Sequence, residues 1–393
     1  MTLLGWLIFI FAMAFSIMLH EAGHFVTAKK FHMKVTQFFL GFGRTLWSRQ
    51  RGETEYGVKA IPAGGFVRIV GMTALEDVAP EDEARSFRKQ PGWQRIIVLG
   101  AGSFMHFVLA FVLLFIMAVG IGLVDTNSAT LGTIYPCVPK SESAVTCVKG
   151  DPASPAAKAG LRAGDTIIAL AGQPVHTWTQ VASAIRSHKA GSAVPVTVLR
   201  HGKKLTLHPS LVAIPGRKGS YLGISQAEVF QPVNPVRGIT SAGSQFGQIV
   251  TGSVGALGSL PGEIPKLFAK NGSSASGGVT SIVGAGQITG QAFALKVSWQ
   301  LKVTVVLDII VSINIFVGLF NLFPLLPLDG GHLAVVIYER ARAWLARLRG
   351  KPDPGLVDMR KLLPVSVGVF ALLVGFSLLL IMANLINPVH LPQ

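Results

Sequence analysis

The stretch that decides the fold is residues 17–25, which read IMLHEAGHF. It follows sixteen residues without a charged side chain, so it continues an apolar segment that begins a membrane span. Histidine and glutamate are costly inside a bilayer and usually mark functional sites there. On a helix His20 and His24 project from one face, with Glu21 beside them. This H-E-x-x-H spacing predicts a zinc site in which Glu21 polarises a water.

The composition of the whole chain is typical of a membrane protein. Half of its 393 residues are hydrophobic (50%), only 14% are charged, and the mean hydropathy is +0.52. The net charge of +16 comes from basic residues that flank apolar runs rather than forming one face. We therefore expect the lipid bilayer as a partner, and no nucleic acid.

Four apolar runs approach or exceed the length that crosses a bilayer, and the basic loops orient them. The loop over 28–95 holds twelve Lys and Arg, and the loop over 332–361 holds seven, so both are expected in the cytoplasm. The N-terminus, the long segment over 125–300 and the C-terminus then lie outside. The four runs are Leu3–Leu19, Ile96–Val124, Val303–Phe323 and Leu363–Ile386.

The long outer segment has two parts. Residues 128–214 predict a globular domain with two helices, an apolar strand and a hairpin that turns at His201-Gly202. Residues 215–298 are rich in Gly, Ser and Pro and predict an irregular stretch on the membrane surface. Cys137 and Cys147 suit a disulfide in an oxidising compartment, with two free thiols as the alternative.

A catalytic zinc usually has three protein ligands, and a third one follows the third apolar run. Residues 321–332 read NLFPLLPLDGGH, in which two prolines break the helix directly before Asp329. Asp329 is the predicted third ligand, although it could instead cap the following helix, and His332 could compete for the metal. Asn321 can donate a hydrogen bond to a substrate carbonyl, or it can serve as a polar contact between helices.

These motifs resemble the site-2 protease family of intramembrane zinc metalloproteases. HEAGH in the first span and NLFPLLPLDGG after the third carry the resemblance. It narrows to the bacterial regulator-of-sigma-factor branch through FFLGFG (38–43), IPAGGFVRIVGM (61–72), SFRKQPGWQRIIVLGAG (86–102) and SPAAKAGLRAGD (154–165), the last from a PDZ domain. The resemblance implies one Zn²⁺ per chain bound by His20, His24 and Asp329. Glu21 is then the general base, and Asn321 assists the substrate carbonyl.

The resemblance also implies a substrate and a place where it binds. The expected substrates are single-pass membrane proteins such as anti-sigma factors already trimmed outside the bacterial cell membrane. Residues 56–71 resemble a membrane-dipping hairpin that pairs with the extended substrate, with Gly64 and Gly65 at its turn or closest approach and Phe66 beside them. The chain departs from the branch in its second span, which reads AGSFMH, so that His106 replaces an asparagine. We interpret His106 as a buried polar residue rather than a fourth ligand.

The predicted fold class is a polytopic helical membrane protein with four transmembrane helices and an inserted extracytoplasmic α/β PDZ domain. A zinc transporter and a proteolytically inactive PDZ adaptor remain the alternatives. Asp308, an acid inside the third span, is interpreted as snorkelling or paired. The predicted order is the first span (1–30), a cytoplasmic loop with the hairpin (31–95), the second span (96–124), the PDZ domain (128–214), a linker (215–300), the third span with the Asp segment (301–331), a basic amphipathic helix (332–361) and the fourth span (362–387).

Overall fold

The computed structural model describes residues 2–72, 76–125, 128–139, 147, 150–214, 219–263, 281–294 and 297–386. Two compact units divide the chain: unit 1 contains Met1–Ile116 and Val236–Leu391, and unit 2 contains Met117–Pro235. The helices are α1 Thr2–Lys30, α2 Gly92–Ile116, α3 Pro155–Ala159, α4 Trp178–Ser187, α5 Pro235–Glu263, α6 Ile282–Ala294, α7 Trp299–Asn321, α8 Asp329–Leu348 and α9 Leu363–Ile386. The strands are β1 Val35–Arg51, β2 Thr54–Ile69, β3 Leu123–Val124, β4 Leu131–Ile134, β5 Thr166–Leu170, β6 Gln173–Pro174, β7 Val196–Arg200, β8 Lys203–Leu207, β9 Val212–Ala213, β10 Ser220–Tyr221, β11 Ile224–Gln226 and β12 Phe230–Gln231.

The helices of unit 1 include the membrane spans. Among the described residues, four helices are long and apolar enough to cross a membrane: Leu3–Lys30, Gly92–Ile121, Trp299–Asn321 and Met359–Ile386. The first extends past the uncharged run Leu3–Leu19 to Lys30, and H-E-x-x-H lies inside α1. The protein is therefore a multi-pass membrane protein.

Unit 1 packs its helices around α2. Helix α7 and helix α5 share a cluster with α2 in which Ala110, Ala242 and Val311 are fully buried. A second cluster joins the end of α1, the base of the β1–β2 hairpin, α2 and α8 through Ala28, Val98 and Val336. The fourth span, α9, packs least, because none of its most apolar window is buried. A hydrogen bond of 2.7 Å from the Ser281 amide to Asn384 Oδ1 ties its end to the start of α6.

The hairpin of unit 1 is longer than predicted, and the chain reverses in it more than once. β1 and β2 pair antiparallel up to Arg51 and Thr54, so the turn is at residues 52–53 and Gly64 and Gly65 lie within β2. Gly52, at φ 62°, supplies the left-handed residue of this two-residue turn. The chain reverses again between residues 59 and 65, because 55–58 run parallel and 65–68 antiparallel to 37–40, and Gly64, at φ 145°, lies at that reversal. Residues 37–40 face 65–68 on one side and 55–58 on the other, which leaves 65–68 at an edge of the described sheet.

The irregular stretch predicted over 215–300 is largely helical where the structure describes it. Both α5 and α6 lie there, and both cluster with the spans of unit 1. In α5 only a narrow stripe packs inward, including Ala242, Phe246 and Val250 at spacings of four. The remaining positions are mostly Gly, Ser and Thr, which are weak helix formers in water but are accepted in membrane helices. The helical period was therefore hidden by composition.

Unit 2 is a small α/β unit with an apolar core. A four-stranded sheet in the order β6-β5-β7-β8 packs on α4, and the core includes Leu170, Val181 and Val198. The predicted hairpin is confirmed, with β7 and β8 joined through His201 and Gly202 at positive φ. Ser154 caps α3 by accepting a hydrogen bond from the Ala157 amide, and Gly160 ends it in the left-handed conformation. Cys137 and Cys147 form a disulfide with a Cα–Cα distance of 5.9 Å.

Candidate metalloprotease site

Three side chains from two distant parts of the sequence converge at one point in unit 1. His20 and His24 lie one turn apart on α1, and Asp329 is the first residue of α8. His20 Nε2 lies 3.1 Å from His24 Nε2 and 3.1 Å from Asp329 Oδ2. His24 Nε2 lies 3.2 Å from the same oxygen. Among the described residues, this is the group of histidines, cysteines and acids with the spacing of a metal site.

The spacing of these atoms fits zinc. Ligands at about 2.0–2.1 Å from a tetrahedral zinc are separated from one another by roughly 3.3 Å, close to the three distances above. Asp329 Oδ2 is buried and accepts no hydrogen bond, which is costly for a carboxylate oxygen unless a cation satisfies it. Two imidazole nitrogens and one carboxylate oxygen are also a ligand set of catalytic zinc sites, which leave one position for water. His106 and His332 are not part of the group.

A glycine on α2 makes room for the two imidazoles. A Cβ atom at Gly102 would lie 2.3 Å from His24 Nε2 and 2.6 Å from His20 Cε1, so no other residue fits without moving them. On the opposite side of the His24 ring, Nδ1 is hydrogen-bonded to the Val98 carbonyl at 2.7 Å. Because that carbonyl can only accept, Nδ1 carries the proton and Nε2 keeps its lone pair for a metal.

Asp329 owes its position to the break after α7. Helix α7 ends at Asn321, and α8 starts at Asp329 with Leu328 as its N-cap residue. The next residue packs tightly on that break, since a Cβ at Gly330 would lie 2.3 Å from the carbonyl carbon of Leu322. Asn321 is the last residue of α7, directly before this break, and it is partly buried.

Glu21 and the edge of the hairpin lie side by side. The Cγ atom of Glu21 is 3.3 Å from the place where a Cβ at Gly65 would be, so the strand approaches the acid at backbone distance. Gly65 thus has the second of its two predicted roles, the close approach. Phe66 points away into an aromatic stack with Phe39 and Phe42, at centroid distances of 5.6 and 6.1 Å.

The structure also contains features that sequence reasoning missed. The close packing of Gly102 against the His20 and His24 rings was not predicted, although a glycine inside a membrane helix often marks close packing. His106 was noted, but its neighbours Ser16 and Asn314 were not, because they are 90 and 208 residues away along the chain. Asp308 was noted too, and the described residues give it no ion pair or hydrogen bond.

The fold and the site together define a protease that works inside the membrane with a zinc ion. The model of Peptidase family M50 matches residues 8–351, and the chain belongs to this family, the site-2 proteases. It is similar to the zinc metalloprotease Rip1 of Mycobacterium bovis, with 36% identity over 99% of both chains. It is 34% identical to zinc metalloprotease Rip1 of Mycolicibacterium smegmatis, again over 99% of both. A putative zinc metalloprotease of Fusobacterium nucleatum is 31% identical over 85% of this chain and 88% of its own.

This family membership decides between the alternatives. The protein is an intramembrane zinc metalloprotease, a hydrolase with Zn²⁺ as its cofactor. The expectations of a zinc transporter and of an inactive adaptor are set aside.

Proposed function

We propose that His20, His24 and Asp329 bind the single zinc ion and that Glu21 is the general base. The observation that carries this proposal is the convergence of the two Nε2 atoms and Asp329 Oδ2 within 3.2 Å of one another. These three residues would hold the zinc, which would supply Lewis acidity toward a water and toward the scissile carbonyl. Glu21 directly follows His20 on α1. It accepts the proton of the attacking water and returns it to the leaving amine.

Asn321 is the proposed partner of the substrate carbonyl. It stands at the end of α7, seven residues of broken helix before Asp329, and its side chain makes no hydrogen bond among the described residues. A free amide at this place can donate to the carbonyl oxygen as negative charge develops on it.

The substrates are proposed to be single-pass membrane proteins, such as anti-sigma factors trimmed on their outer side. A peptide bond inside a helix is shielded by its own hydrogen bonds, so the substrate must be extended before it is cut. Residues 65–68 of β2 offer an unpaired edge among the described strands, and Glu21 lies next to it at Gly65. An extended peptide can add to such an edge as a further strand, which brings its backbone to the base.

The rest of the hairpin is proposed to dip into the membrane. Large apolar side chains near its tip are exposed, among them Leu46 at 67%, Trp47 at 58% and Ile61 at 57%. Exposed apolar surface of this kind on a membrane protein favours contact with lipid over water.

Helix α8 is proposed to rest on the cytoplasmic surface of the bacterial cell membrane. At 100° per residue, the exposed apolar residues lie opposite the face that buries Val336 and Glu339. Arginines flank this apolar face on both sides, as in helices that lie in the interface. The apolar residues are Ile337, Tyr338, Trp344, Leu345 and Leu348, and the arginines are Arg340, Arg342, Arg347 and Arg349. The N-terminus, unit 2 and the C-terminus are then extracytoplasmic.

Unit 2 is proposed to be a PDZ domain that admits only trimmed substrates. A groove of about 450 Å³ runs beside α4 and is lined by Trp178, Ile185, Leu222 and Ile224. An open groove between a helix and a strand suits the addition of an extended peptide. If the domain excludes untrimmed substrates, removal of residues 128–214 permits their cleavage. If it recruits substrates instead, that deletion abolishes cleavage of trimmed ones.

The proposed catalytic roles are tested with the full chain in lipid nanodiscs and a purified single-span substrate. Glu21→Gln is expected to keep one zinc per chain and to lose about 10²–10⁴-fold in cleavage, because an amide cannot accept the proton. His24→Ala and Asp329→Ala are expected to lose zinc and activity together. Asn321→Ala is expected to keep zinc and lose about 10²–10³-fold in turnover. A Glu21→Gln protein that cleaves at the original rate would refute the assigned base.

A further inference from the structure

A cluster of three buried polar side chains lies next to the metal ligands and has no part in the mechanism above. Ser16 on α1, His106 on α2 and Asn314 on α7 are 1%, 4% and 0% exposed. His106 Nδ1 lies 2.8 Å from Asn314 Oδ1 and 3.2 Å from Ser16 Oγ, and Ser16 also hydrogen-bonds to Asn314 Oδ1. Polar groups this deep in a membrane helix bundle are retained where they do specific work.

The hydrogen bonds of this cluster determine the tautomer of His106. Asn314 donates through Nδ2 to the Ile310 carbonyl at 2.8 Å, so its orientation is fixed and Oδ1 must face His106. Since Oδ1 can only accept, His106 Nδ1 carries the proton. In the neutral ring Nε2 then holds a lone pair and can only accept. Every hydrogen bond that the structure gives His106 is made through Nδ1, so this acceptor is unused.

Helix geometry places the unused edge of the ring on the side of His20. A Cβ at Gly318 would lie 3.2 Å from the His106 Cβ, and Asn314 is one turn before Gly318 on α7. Ser16 is likewise one turn before His20 on α1. Because Nδ1 points to the turn of Ser16 and Asn314, the opposite edge with Cδ2 and Nε2 points to the turn of His20. The two ring centroids are 5.0 Å apart, so the two imidazoles are direct neighbours, although His20 Nδ1 makes no hydrogen bond in the structure.

His20 has a ring N–H donor without a hydrogen-bond acceptor. Its Nε2 points to the common point with His24 and Asp329, so Nδ1 is the nitrogen that carries the proton. This Nδ1 is buried and has no hydrogen-bond partner, whereas the corresponding atom of His24 donates to Val98. A histidine that ligates a metal almost always donates its other ring proton to a second residue or to water.

We propose that His106 is the positioning residue for His20: its Nε2 accepts the His20 Nδ1 proton, directly or through one water, when the metal is bound. Ser16 and Asn314 hold the His106 ring in the tautomer that makes this possible. The bond fixes the ring orientation of His20 and increases the basicity of its Nε2. This inference rests on the proposed ligand role of His20.

Two substitutions test the roles of the two ring nitrogens of His106 separately. In His106→Asn the amide reaches the position of Nδ1 and keeps the contact with Asn314, but nothing occupies the position of Nε2. In His106→Gln the longer side chain brings its amide oxygen, an acceptor, to the position of Nε2. The measurement is zinc affinity of the full chain in nanodiscs, by competition with a chelator. His106→Asn is expected to bind zinc about 10–100-fold more weakly. His106→Gln is expected to recover most of that loss.

The outcomes distinguish this inference from the proposed function. Unchanged zinc affinity in His106→Asn overturns it, and so does an equal loss in His106→Asn and His106→Gln, because that result reports packing alone. His20→Ala serves as the reference and is expected to release zinc. If His20→Ala keeps its zinc, the ligand assignment itself fails. If His20→Ala loses zinc while His106→Asn does not, only the role of His106 fails.

Discussion

The two units of the chain differ in the polar side chains they bury and in the apolar surface they expose. Unit 1 buries polar side chains such as Ser16, His24 and Asn314, while α9 exposes Leu372 at 69% and Met382 at 60%. Unit 2 has an apolar core that includes Leu170 and Val198, each at most 1% exposed. The reason is the solvent, because lipid accepts apolar surface and the interior of unit 1 is free to hold the polar groups of the site. Burial therefore has a different meaning in each unit.

The largest effect is expected where unit 1 has no free space. Gly102→Ala would push a methyl group into the His20 and His24 rings, so we expect loss of bound zinc and of activity. The matched control is Gly100→Ala on the same helix, where a Cβ meets nothing within 4 Å. That change is expected to keep zinc and to add up to about 1 kcal/mol of helix propensity. Metal content after purification measures both effects. Equal zinc in the two variants would contradict the close packing of Gly102 on the histidine rings.

A large loss of stability is expected from the core of unit 2. Leu170→Ala removes a side chain that is 1% exposed and should lower the free energy of unfolding of unit 2 by about 2–5 kcal/mol. Hydrogen exchange of peptides from residues 160–210 measures this in the intact protein. The control is Leu205→Ala on β8, which is 38% exposed and should cost about 0.5 kcal/mol or less. Zinc binding should be unaffected by either change.

The exposed surfaces of α9 and of unit 2 can be compared by replacing one exposed leucine on each with lysine. Leu372→Lys places a charge in the middle of α9 and is expected to cost about 2.5–3.5 kcal/mol of insertion free energy. Leu205→Lys, on the exposed side of unit 2, is expected to cost almost nothing. The measurement is the fraction of chains correctly inserted, read from accessibility of engineered cysteines. Equal tolerance at both positions would show that α9 does not face lipid.

A smaller, pH-dependent effect is expected from the ion pair of unit 2. Burial alone would raise the pKa of Asp165, but hydrogen bonds from Arg200 at 2.7 Å and from the Arg162 amide hold it below its usual value. A lowered pKa stabilises the folded state above the unfolded value of about 3.9 and loses that contribution as the pH falls below it. Asp165→Asn should therefore cost about 1.5–3 kcal/mol at pH 7 and less at pH 3. Hydrogen exchange of unit 2 at both values measures the difference, and a cost that is the same at both would exclude the ion pair as its source.

The parts of this molecule that could be predicted from sequence are those with local signals. The spacing of His20, Glu21 and His24 is a property of one helix, and the prolines before Asp329 mark the break that follows α7. The hairpin at His201-Gly202 is equally local. The three ligand candidates were named from these signals and from family resemblance, and the structure brings them together.

The parts that could not be predicted depend on close contacts between distant segments. Gly102 packs against the two histidine rings only because α1 and α2 approach each other there. The hairpin contains several glycines, so its sequence does not indicate which of them forms the turn at residues 52–53. Helix α5 could not be predicted because 13 of its 29 residues are Gly, Ser or Thr, which are weak helix formers in water. The link from Ser16 to His106 and Asn314 joins three spans, and no pattern within any one of them indicates it.

Residues 65–68, at an edge of the described sheet, have a consequence for what the enzyme discriminates if substrates bind there as proposed. Main-chain hydrogen bonds are common to every amino acid, so an edge that binds through them carries almost no information about side-chain identity. What differs between candidate peptides is the free energy needed to convert a helix into an extended segment, which glycine, proline and β-branched residues reduce. If substrates bind at this edge as proposed, selection there ranks membrane segments by the stability of their helices. Two segments of unrelated sequence but equal helix stability are expected to be cut at similar rates.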